Sequence, residues 1–135
     1  MGRFFHRKKI SAKRFGKDFL HLAKTSRLFQ ITTLLSFLFL VCIWVLPIWR
    51  IMPLAAEQPF IPLHYNIYIG IDRFGPWYQI LWLPGLGTIL LGANILFETF
   101  FYGRERLLST FFMIGTVLAE LCLLVSMVLI VLLNL

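Results

Sequence analysis

"LFQITTLLSFLFLVCIWVLPIW", Leu28–Trp49, holds no Lys, Arg, Asp or Glu in 22 residues. An α-helix rises about 1.5 Å per residue, so about 20 apolar residues cross about 30 Å of hydrocarbon. The stretch therefore reads as a membrane span. A basic tail ahead of an apolar run also fits a signal peptide. The apolar core of such a peptide is only about 7–15 residues long. "IMPLAA" also lacks a small residue at the −3 position for cleavage after Ala55 or Ala56. An uncleaved anchor is expected.

Two further runs repeat the pattern. "WYQILWLPGLGTILLGANILFETFFY" covers Trp77–Tyr102, and "LLSTFFMIGTVLAELCLLVSMVLIVLLNL" covers Leu107–Leu135. Pro84 lacks a backbone donor and biases Leu83 away from helix. A kink is expected there, after a short interfacial segment. Overall, 59% of the residues are hydrophobic and 14% charged, against about 25% charged in a soluble domain. The expected fold is all-α and integral to the membrane. It has three spans (28–49, 78–102 and 107–135), an ordered extended loop over 50–77, and a basic amphipathic tail over 1–27. The two cysteines, Cys42 and Cys122, lie inside apolar runs and are expected to be buried thiols.

Charge gives the direction. Residues 1–27 carry nine Lys or Arg against one acid, Asp18, and the other 108 residues sum to −1. Arg104 and Arg106 lie in the short turn, and only Arg50 and Arg73 in the long loop. Positive residues gather on the cytoplasmic side. The expected location is the cell (inner) membrane, with the amino end cytoplasmic and the long loop and carboxyl end outside. Trp49, Trp77, Tyr78 and Trp82 mark the outer interface. In the tail, Ala12, Phe15, Phe19, Leu22 and Ser26 recur at helical spacing among basic residues. Such a helix suits an anionic inner leaflet. Nucleic acid is not an expected partner, because no reading motif accompanies the charge.

Glu120 lies about 20 Å along the third span from its cytoplasmic end. An acid at that depth has to face protein or water. Three readings stand: a proton or ion relay, a neutral carboxyl sharing a hydrogen bond with a neighbouring helix, or a contact that holds an oligomer together. The second is preferred. Gly115, Ala119, Cys122 and Ser126 form a small-residue face beside it, and Thr88 and Gly92 give a small-xxx-small pair on the second span. Glu98 and Asn94 lie nearer the cytoplasmic end. Glu98 is expected to reach the interface or pair with Arg104 or Arg106.

In the loop, "IPLHYNIYIG" alternates in period two and reads as extended chain. "GIDRFGP" then reads as a turn, with Gly70 and Gly75 as breakers and Pro76 opening the next helix. His64 and Asn66 fall on one side and can converge with Asp72 or Glu57. One His without a second ligand motif is weak for a metal, and no nucleophile stands beside it. No metal, cofactor or catalytic residue is expected. His64 and Asn66 instead fasten the loop over the helix ends.

"IPLHYNIYIGIDRFGPWYQILWLPGLG" resembles the outer-loop motif, P-x-H-aromatic-N, then G, then P, of a widespread uncharacterised bacterial membrane domain. That domain also occurs in SDP-type immunity and signalling membrane proteins. The matching positions are Pro62, His64, Tyr65, Asn66, Gly70, Asp72 and Pro84, within about a quarter of the chain, 58–94. The chain departs in "NIYIGID", where the family more often has a polar stretch, and lacks the further spans of the immunity proteins. The resemblance implies an outer loop between two spans.

Together these readings point to a non-enzymatic small membrane protein. An accessory, sensing or immunity-type role through the outer loop is expected. The alternatives are a small subunit of a larger complex, or part of a proton-coupled channel or transporter using Glu120. A membrane-protein partner or a second copy is the expected polypeptide contact.

Overall fold

The computed structural model describes residues 12–58 and 60–135. Arg3, Arg7, Lys8 and Lys9 of the tail, and Pro59 of the loop, lie outside the described residues. The chain is mainly helical, and three helices are long and apolar enough to cross a membrane: Arg27–Leu54, Trp77–Tyr102 and Arg106–Leu133.

Helix α1 (Ala12–Thr25) carries the amphipathic tail pattern. Part of its apolar stripe meets protein where lipid was expected. Leu22 is fully buried with Phe29 and Met113, and Phe19 packs beside them. The Phe19 and Phe29 rings meet edge-on, 6.0 Å apart. Ser26 then starts α2 (Arg27–Leu46): its hydroxyl accepts a bond from the Phe29 N–H at 3.3 Å. That satisfies one of the orphan donors of a helix start.

The rod does not stop at Trp49. Pro47 has no N–H and crowds the preceding turn. The chain responds by widening into a π-helical turn, Pro47–Ile51, and continues through α3 (Met52–Leu54). A turn leads into strands β1 (Phe60–Asn66) and β2 (Gly70–Pro76), which pair antiparallel. "GIDRFGP" is thus a strand, and the turn falls earlier, at 67–69. Gly70 makes this register available, because its φ of +79° lies in the left-handed region that side chains disfavour.

A 3₁₀ segment (Trp77–Leu81) leads into α4 (Trp82–Tyr102). Helix α4 runs on through Pro84, and the change from 3₁₀ to α geometry falls just before it, between Leu81 and Trp82. Pro84 is the third residue of α4, within the first turn, where backbone N–H groups have no intrahelical partner to lose. Helix α5 (Arg106–Leu133) follows a short turn. Since α2 and α5 run parallel and α4 returns between their ends, α5 packs against both.

The core has two apolar ends. Ile43, Ile51, Ile61, Ile80, Met127 and Val131 fill the hairpin end. Leu22, Phe29 and Met113 fill the tail end. Between them lies a band of buried polar residues: Ser36, Glu98, Thr116 and Glu120. Cys42 and Cys122 are exposed on the bundle surface, contrary to expectation. Their apolar surroundings in sequence are the surface that would face lipid.

Candidate functional site

Two groups of residues stand out, one on the hairpin and one in the polar band. On the hairpin, irregular pairing between Pro62 and Tyr65 pushes Leu63 out of register. His64 then stands beside Asp72, with Nδ1 and Oδ1 2.6 Å apart. A carboxylate only accepts, so Nδ1–H donates and Nε2 stays free. Asn66 accepts from the Tyr68 N–H at 2.9 Å, an Asx turn that closes the hairpin tip. His64 and Asn66 therefore both have partners inside the hairpin. Among the described residues no cluster of three His, Cys, Asp or Glu can hold a metal, and Glu57 does not join the His64–Asp72 pair.

The base of the hairpin is fixed to the bundle. Ile61 is buried in the hairpin-end core. Asn134, at the end of α5, donates through Nδ2 to the Pro62 carbonyl at 2.9 Å and to the Ile130 carbonyl at 2.8 Å. A Cβ at Gly75 would collide with Leu63 and Gln79, so glycine lets β2 approach the 3₁₀ segment. A cleft of about 560 Å³ runs between β1 and α5, lined by Leu63, His64, Tyr65, Ser126 and Leu129 among others. The tip behaves differently from the base. Ile67, Tyr68 and Ile69 are 81%, 92% and 71% exposed. Tyr65 is also exposed, while Pro84 is buried at the start of α4.

In the polar band, Asn94 Nδ2 donates to the Thr116 hydroxyl at 2.9 Å. The Thr116 hydroxyl reaches the Phe112 carbonyl at 2.6 Å and Glu98 Oε1 at 3.3 Å. Glu98 is buried and makes no ion pair with Arg104 or Arg106, which corrects the expectation from depth alone. Those arginines instead lie over the Phe100 and Tyr102 rings. Glu120 is fully buried, and neither carboxyl oxygen has a hydrogen-bond partner.

The helix contacts use other small residues than expected. Gly92 and Gly115 face outward with open space around them. Gly87 is the point of close approach: a Cβ there would stand 3.0 Å from Glu120 Oε2 and 3.0 Å from a Leu40 methyl. Thr88 works through its hydroxyl, which accepts from Trp44 Nε1 at 3.1 Å and so ties α2 to α4. Ala119 is half-buried on α5.

Ser36, Thr116, Gly87 and Asn134 were not singled out from sequence. Ser36 and Thr116 each fall on an apolar heptad face, at a spacing the sequence does display. The chain matches no protein-family model, no curated protein and no solved structure.

Proposed function

We propose that the chain is a non-catalytic, three-span protein of the cell membrane that acts through its hairpin, in an accessory, sensing or immunity-type role. The tail and the 103–105 turn lie on the cytoplasmic side, and the hairpin and carboxyl end outside. The charge distribution supports that direction: Lys24, Arg27, Arg104 and Arg106 crowd the tail end of the bundle, against Arg50 and Arg73 at the other.

One observation carries the reading. The hairpin is rigidly based yet ends in three consecutive exposed apolar residues, Ile67, Tyr68 and Ile69. Polar turn residues would be the ordinary choice for a loop with no contact to make. A rigid base lowers the ordering cost of binding, and an aromatic tip supplies contact area. The resemblance of the Pro62–Pro84 stretch to the outer loop of an uncharacterised bacterial membrane domain fits a loop displayed between two spans.

A photoreactive phenylalanine analogue at position 68, in native membranes, tests this. A discrete protein adduct is expected, and none from the same probe at Ile89, on the exposed face of α4. Lipid adducts alone at both positions would remove the support.

A second reading, a subunit packed into a larger assembly, is favoured by the outward-facing Gly115 beside Ala119. Native mass in mild detergent distinguishes it by a stable complex that Gly115→Leu dissociates.

A further inference from the structure

Helix α1 docks on the bundle through Leu22, which is fully buried with Phe29 and Met113. Asp18 lies one turn before Leu22, so both fall on one side of α1. The turn between α4 and α5 stands opposite. Asp18, His21, Tyr102, Gly103, Arg104 and Arg106 line a cleft of about 530 Å³ between them. The cleft therefore sits where one candidate span ends, at Tyr102, and the next begins, at Arg106.

Its cations have no partners in the chain. Neither Arg104 nor Arg106 forms an ion pair: among the described residues the one ion pair is His64–Asp72, at the hairpin end. Residues 1–11 hold no Asp or Glu, so they have no carboxylate to offer. Glu105 lies in the turn but does not line the cleft. Each guanidinium lies over an aromatic ring instead. The Arg104 carbon is 4.3 Å from the Phe100 centroid, and that of Arg106 5.9 Å from the Tyr102 centroid. A ring steadies a cation without cancelling its charge, and the guanidinium N–H fork stays available.

That fork matches the oxygens of a phosphate. The charge in the cleft selects which kind. Two guanidinium groups less the Asp18 carboxylate leave one net positive charge, with His21 neutral. A phosphodiester carries one negative charge and balances it. A phosphate monoester, at about −1.5 to −2, exceeds it and meets Asp18. A cationic headgroup would add to the excess. The hairpin end has no equivalent: its cleft of about 430 Å³ sets one arginine, Arg73, beside one acid, Asp72.

We propose that the cleft between α1 and the α4–α5 turn binds one anionic phospholipid, with the phosphodiester held by Arg104 and Arg106. His21 and Tyr102 supply further donors around it. No covalent bond is made or broken. The site rests on the three-span reading and on nothing proposed for the hairpin, and it holds whichever side of the membrane the tail faces.

The test is native mass spectrometry of the full chain released from nanodiscs of phosphatidylcholine with a minor share of phosphatidylglycerol. One phosphatidylglycerol per chain should stay bound, beyond its share of the disc. Arg104→Gln combined with Arg106→Gln should cut that retention several-fold. So should Gly103→Leu, which fills the cleft without changing charge. A Cβ there meets nothing within 4 Å, and the backbone, with φ of −83°, accepts a side chain. The two changes are independent, so misfolding of one leaves the other to decide. Lys24→Gln combined with Arg27→Gln removes the same charge from the same end, outside the cleft, and should leave retention unchanged. Equal loss in that control would mark diffuse charge attraction and overturn the site. Retention of phosphatidylcholine as often as phosphatidylglycerol would do the same. A second arm adds inorganic phosphate to discs of phosphatidylcholine alone. Thermal protection there equal to that given by phosphatidylglycerol would assign the cleft to free phosphate and overturn the lipid. A chain that does not enter the discs overturns the span reading together with the site, whereas one that enters and retains no anionic lipid overturns the site alone.

Discussion

His64 and Asp72 sit on opposite strands of the hairpin, joined by a 2.6 Å contact, although His64 pairs through its backbone with Arg73. The offset comes from the irregular register around Leu63. The His64 side chain is 62% exposed, so the pair is weak in energy, under about 1 kcal/mol. Its use is positional. His64→Ala should leave the thermal unfolding of the bundle unchanged and speed proteolysis between Glu57 and Arg73. A chelator that reproduces the same loosening in the unmutated protein would argue for a metal instead.

The tip depends on a single backbone conformation. Gly70 has a φ of +79°, where a side chain costs about 1–2 kcal/mol. Gly70→Ala should destabilise the hairpin by that amount, and Gly70→Asn by less, as read by amide exchange of Ile61 and Tyr65. Asn66→Ala should act at the same amides by removing the acceptor of the Tyr68 N–H. Equal exchange in all three variants would mean that the tip does not hold the strands.

Gly87 and Gly92 are matched glycines on one helix with opposite surroundings. A Cβ at 87 meets Glu120 and Leu40 at 3.0 Å, while one at 92 meets nothing within 4 Å. Gly87→Val should cost about 1–3 kcal/mol through overpacking, seen as lower folded yield and earlier thermal aggregation in detergent. Gly92→Val should be near neutral for the monomer. The reverse order would displace α4 from its seat on α5.

Thr116 joins Asn94 and Glu98. Thr116→Val keeps the shape but strips the hydroxyl that both polar groups use. Leaving buried groups unpaired costs about 1–3 kcal/mol. Thr110→Val is the control, since its exposed hydroxyl bonds only to the Arg106 carbonyl in its own helix. Denaturation in mixed micelles should separate the two variants.

The spans were legible because length and lack of charge are one-dimensional signals. The hairpin was half legible. Period two reads correctly as extended chain over Ile61–Asn66, but Ile67, Tyr68 and Ile69 look like more strand and in fact form the turn, closed by Asn66. Glu98 was misplaced because depth along an axis says nothing about rotation around it. It lies near the end of α4 yet faces Thr116. Ser36 is easily passed over because, in a Leu- and Phe-rich run, its seven-residue spacing from Phe29 and Ile43 is one of several apolar spacings, and only burial shows which of them faces the core. Gly115 and Gly92 stand open on the bundle surface, because small-residue spacing alone does not tell whether the helix approached belongs to this chain or to another.

Display of the hairpin on the outer side, opposite the tail, is the claim on which the functional reading rests. Thiol accessibility in intact cells tests it most directly. Cys42 and Cys122 are replaced by Ser, and a single cysteine is placed at Tyr68 or at Gly103, where a side chain meets nothing within 4 Å. A membrane-impermeant maleimide should label position 68 in intact cells, and position 103 only after the cells are opened. Labelling of 103 and protection of 68 would contradict the orientation and, with it, a hairpin that acts from outside the cell.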